Sequence, residues 1–99
     1  MSQIQELKDA LEKLHGVRAT HKESVPVKEV WKGKTVWEGV VEVFHIEGHS
    51  KTNQAYAWLH DSGNGVFPVT VLHIHPALTP LAAVQAFILQ ELGNAPIEA

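Results

Sequence analysis

Four runs rich in β-branched and aromatic residues, joined by loops too short for a crossover, constrain this chain more than any other feature. They cover residues 20–31, 35–46, 54–60 and 66–75. Between them lie Lys32-Gly33-Lys34, the stretch from Glu47 to Asn53, and Asp61-Ser62-Gly63-Asn64-Gly65. Short Gly/Asn/Asp loops favour hairpins, so the four runs should form an antiparallel meander. Pro26 suits an edge strand, because it cannot donate to ladders on both sides, and Pro68 sits near the start of its strand. If each hairpin folds symmetrically about its loop, odd residues pair with odd residues throughout. The odd face then carries Val25, Val27, Trp37, Val41, Val43, Leu59, Val69 and Val71, and reads as core. Glu38, Glu42 and Thr70 point the other way.

A helix is expected on each side of the meander. Ser2 followed by Gln5 makes a capping box, and Gly16 suits the left-handed residue that ends a helix. Ile4, Leu7, Leu11 and Leu14 fall at helical spacing as one narrow apolar stripe. The second helix opens with Thr79 as N-cap and Pro80 at its first position, and Gly93 closes it. Its polar residues, Gln85, Gln90 and Glu91, form no coherent wet face, so Leu81, Val84, Phe87, Ile88, Leu89 and Leu92 spread around most of the cylinder. Such a helix is covered on more than one side, by a second subunit or by the first helix and loops. The expectation is a single α+β domain over residues 1–99. Its order is helix, four-stranded antiparallel meander, helix (α-β-β-β-β-α), with both helices packed on one face of the sheet.

Composition excludes several classes. With 99 residues the chain can bury a core without staples, and its 44% hydrophobic and 19% charged residues argue against disorder. The absence of cysteine excludes disulfides, thiolate zinc sites and a cysteine nucleophile. A net charge of −3 disfavours nucleic acid or an anionic membrane as partner. Charged residues interrupt the leucines of residues 1–16, so no signal peptide is expected and the cytoplasm is the default.

The stretch Glu23-Ser24-Val25-Pro26-Val27, the run from Thr35 to Phe44, Gly48-His49 and Tyr56-Ala57-Trp58 resemble a group of short, uncharacterised bacterial proteins of alphaproteobacterial type. The likeness spans Glu23 to Leu92 and implies no activity, cofactor or site residue. The helix–strands–helix order also loosely matches double-stranded-RNA-binding domains. Those carry a basic second helix, whereas this one has no Lys or Arg, so that match is rejected.

Two constellations could carry function. The first is histidine, present seven times, enough to reverse the sign of the net charge if all are protonated. His73 and His75 flank Ile74, and on a strand they would share one face about 6.8 Å apart, within reach of one metal. Hairpin symmetry sets His21 opposite His45, with His49 in the loop at the same sheet end. His73, His75, His45 and His49 are therefore the candidate divalent-metal ligands, set against rim histidines bonded to backbone or water. No carboxylate pattern of a known metalloenzyme accompanies them. Facing imidazoles at 21 and 45 would resist protonation, so stability should fall below about pH 6.5.

The second constellation is the even sheet face, where Phe44 should oppose Tyr56 with Trp58 and Leu72 nearby. This aromatic patch, with Phe87 and Leu89 of the second helix, is the candidate partner-binding surface. Glu38 and Glu42 on the same face would repel a phosphate backbone. The leading expectation is a non-enzymatic interaction module acting as a homodimer, with a protein or small-molecule ligand open and no cofactor. The alternative is a small metal- or ligand-dependent enzyme using the histidine rim, with His45 or His49 as base.

Overall fold

The structure, a computed structural model, describes residues 3–61 and 63–94. Helix α1 spans Gln3–His15, strands β1 to β4 span Arg18–Trp31, Lys34–Glu47, Gln54–Asp61 and Val66–Leu72, and helix α2 spans Pro80–Asn94. The strands form one antiparallel sheet in the order β1-β2-β3-β4. The expected element order and the meander are therefore present.

Local chemistry sets the element ends. Gly16 adopts φ 64°, and its N–H donates to the Glu12 carbonyl at 3.0 Å, closing α1 with a left-handed cap. The Glu12 carboxylate then accepts from the Ala19 N–H at 2.9 Å, tying the helix end to the first strand. That backbone bond, with Lys8 second, holds the Glu12 pKa below its usual value. Ser2 lies outside the described residues. Thr79 caps α2, its hydroxyl accepting from the Ala82 N–H at 3.0 Å. The helix runs through Gly93 to Asn94 instead of closing at the glycine. Lys32 and Gly33 both take positive φ, at 52° and 79°, between the paired Trp31 and Lys34. That is a type I′ turn, whose twist matches the flanking strands.

The register departs from hairpin symmetry and changes the architecture. Val25 pairs with Val41 as expected, but β2 and β3 pair Val43 with Tyr56 and Phe44 with Ala55, odd with even. Across β3 and β4, Tyr56 pairs with Val71 and Ala55 with Leu72. The reason is loop length. The Ile46 N–H donates to the Asn53 carbonyl at 2.9 Å, and Asp61 pairs with Val66, so each loop is one residue shorter than its polar composition suggests. A one-residue change turns every side chain of the next strand to the other face.

The two helices consequently lie on opposite faces of the sheet, not on one. Leu7 and Leu11 of α1 pack with Ala19, Phe44, Ile46 and Ala55. Ala83 and Val84 of α2 pack with Val41, Val43, Tyr56 and Trp58. Val41 and Val43 are fully buried, whereas Trp37, Val69 and Val71 are half-buried against the α2 cluster. Leu59 packs with the α1 cluster instead, and Glu42, expected to face away from the core, is buried.

Coverage is diagonal. On the face that carries α1, the stretch of sheet around Pro26 and Val40 stays exposed. Opposite it, Thr20 and His45 stay exposed on the α2 side. No helix among the described residues is long and apolar enough to cross a membrane.

Candidate functional site

The sheet is split along part of its length. β1 and β2 pair along nearly their whole length, and β3 and β4 pair from Ala55 to Asp61. The ladder between β2 and β3 covers only Glu42–His45 against Gln54–Ala57. Beyond Glu42 the two hairpins part, and a groove of about 660 Å³ opens between them. Trp37, Glu38, Gly39 and Val40 of β2 line one side, and Trp58, Leu59, His60 and Asp61 of β3 the other.

One wall of the groove is aromatic. Trp37 meets Trp58 edge-to-face at 5.6 Å, and Trp58 meets Phe87 of α2 in the same way. The Trp37 ring lies over Gly39, where a Cβ would come within 3.1 Å of its outer carbon. Glycine at that position lets the ring lean along the strand. Trp58 is only 1% exposed, and its indole N–H is buried with no hydrogen-bond partner among the described residues.

The opposite wall is acidic and carries a buried polar cluster. Glu42, 6% exposed, accepts a hydrogen bond from His21 Nε2 at 2.8 Å and another from the Ser24 hydroxyl. A register shift between His21 and Glu23 makes this arrangement. On a regular strand, residues three apart face opposite ways, and the extra residue, Lys22, brings both side chains to the same carboxylate.

The expected histidine cluster does not assemble. β4 ends at Leu72, so His73 and His75 do not share a strand face. The His73 ring bonds instead to the Tyr56 hydroxyl at 2.6 Å, which also accepts from Gln54. Burial raises the Tyr56 pKa, with the Gln54 hydrogen bond opposing and the Glu23 charge adding to the rise. His45 lies 3.8 Å from the Glu47 carboxylate, and His49 Nδ1 accepts the Lys51 N–H at 3.0 Å. Among the described residues, no three His, Cys, Asp or Glu side chains gather as a metal site. His21 pairs with Phe44, not His45, which meets Thr20, because of the same bulge.

The expected open aromatic face is likewise absent. Phe44 is fully buried under α1, and Tyr56 and Trp58 under α2. Leu72 and Phe87 are half-buried against those clusters. Of the six expected contact residues, Leu89 alone is well exposed.

His15 makes a tertiary contact where sequence reasoning did not look. Its ring bonds to the Thr70 hydroxyl at 3.0 Å. Burial, with the nearby His49 second, holds its pKa below the usual histidine value. The unfolded state therefore binds the proton more readily. His15 stabilises the fold fully above about pH 6.5, and that contribution is lost as pH falls through the folded pKa. Urea melts should show lower stability at pH 5.5 than at 7.5, with the difference reduced in His15→Gln. Equal differences in His15→Gln and wild type would contradict this assignment.

No protein family, curated protein or solved structure matches the chain.

Proposed function

We propose that the protein is a non-enzymatic interaction module that pairs with a second copy of itself through the outer face of α2. The observation that carries this reading is Leu89, 68% exposed on a helix with no Lys or Arg. Leu81 and Gln85 precede it at four-residue spacing, both exposed, and Leu78 is exposed just before the helix. A soluble surface helix ordinarily turns a charged face to water, and this one turns leucine and glutamine. Two-fold pairing sets the same stripe against itself, so that in antiparallel helices Leu81 of one copy meets Leu89 of the other. The reading places the module in the cytoplasm, as its sequence suggests.

Sedimentation equilibrium at micromolar protein tests the reading. The wild type is expected as a dimer, and Leu89→Glu should weaken association by about a hundredfold or more. Two-fold symmetry buries the new charge twice per dimer, and each unpaired burial costs on the order of 2 kcal/mol or more. A wild type that stays monomeric at high concentration overturns it.

A further inference from the structure

The groove between β2 and β3 is a gap in a sheet, and its shape and chemistry describe what fits. Where the hairpins part, β2 beyond Glu42 and β3 beyond Ala57 each present a strand edge that no ladder among the described residues occupies. Unpaired strand edges are templates for another strand. A strand residue occupies about 160 Å³, from a rise of ~3.3 Å, a spacing of ~4.8 Å and a sheet thickness of ~10 Å. The volume of about 660 Å³ therefore holds about four residues, which matches the open edge of β3 from Trp58 to Asp61.

We infer that this groove accepts a short extended peptide segment of a partner protein, with basic and apolar side chains in alternation. The flanking strands run antiparallel to one another, so the inserted segment lies parallel to one and antiparallel to the other. Its side chains on the α1 face meet Glu38, Glu42 and Asp61, and no Lys or Arg lines the groove. Lysine or arginine belongs there. Its side chains on the α2 face meet the Trp37–Trp58 wall, which suits aliphatic groups and the stems of basic ones. The buried Trp58 N–H lacks an acceptor among the described residues, and an inserted backbone brings carbonyl oxygens to that wall.

The test titrates acetylated, amidated Lys-Val-Lys-Val-Lys into the full chain while following the Trp58 indole N–H resonance. A saturable shift of that resonance is expected. Glu38→Lys combined with Asp61→Lys should weaken binding by about tenfold, since two exposed ion pairs with the peptide are lost. The Glu-Val-Glu-Val-Glu peptide, and the basic peptide N-methylated on alternate backbone nitrogens, should not bind. The monomeric Leu89→Glu variant should bind as the wild type does, which separates this groove from the proposed dimer face. No saturable shift overturns the inference. So does equal binding of the acidic or N-methylated peptide, or loss of binding in Leu89→Glu.

Discussion

Replacing His21 with phenylalanine and Ser24 with alanine together is expected to destabilise the protein by about 3–5 kcal/mol, far more than two surface substitutions cost. The reason is what remains. Glu42 is 6% exposed and its hydrogen bonds come from those two side chains. Phenylalanine preserves the edge-to-face contact of ring 21 with Phe44, centred 5.4 Å away, so lost packing is minor. The effect then measures a carboxylate stranded without donors. The His21 side chain is 28% exposed, so entering water holds the cost nearer the lower figure. Adding Glu42→Met to the double variant should recover most of the loss, because removing all the polar partners is cheaper than removing some. If the triple variant is no more stable than the double one, the cluster acts through packing and not through the carboxylate.

That cluster also marks where sequence reasoning ends. The elements were legible because their signals are local: a leucine stripe closed by Gly16, Thr79-Pro80 before an apolar helix, Lys32-Gly33 between two strands. Face assignment was not, because it depends on counting residues through each loop. Asn53 and Asp61 look like loop residues by type, yet the Asn53 carbonyl accepts from the Ile46 N–H and Asp61 pairs with Val66. One residue at the β2–β3 loop sent Tyr56 and Trp58 beneath α2, and Leu59 toward α1. The bulge at Lys22 lies within Thr-His-Lys-Glu-Ser, a polar stretch without the alternation that would reveal a skipped residue. The groove did leave a trace. Two runs of twelve residues precede one of seven, and a strand that short cannot pair along all of its neighbour.

The opposed helices have a consequence for stability. Each face of the sheet carries its own core, with Leu11 among the buried residues of one and Val84 of the other. Leu11→Ala is expected to cost about 2–5 kcal/mol, as loss of a fully buried leucine side chain and the cavity it leaves. Val84→Ala should cost about 2 kcal/mol by the same two contributions. The two clusters share no residue and the sheet lies between them, so the double variant should lose the sum of the two to within about 0.5 kcal/mol. Such a loss is a large part of the ~5–15 kcal/mol that stabilises a domain of this size. Urea melts of all four proteins therefore need the same concentration of trimethylamine N-oxide in every sample. Had both helices rested on one face, Leu11 and Val84 would have bordered a common core, and cavities there would partly collapse into each other. A coupling above about 1 kcal/mol would indicate such a shared core. Additivity would mean that each helix secures its own side of the sheet.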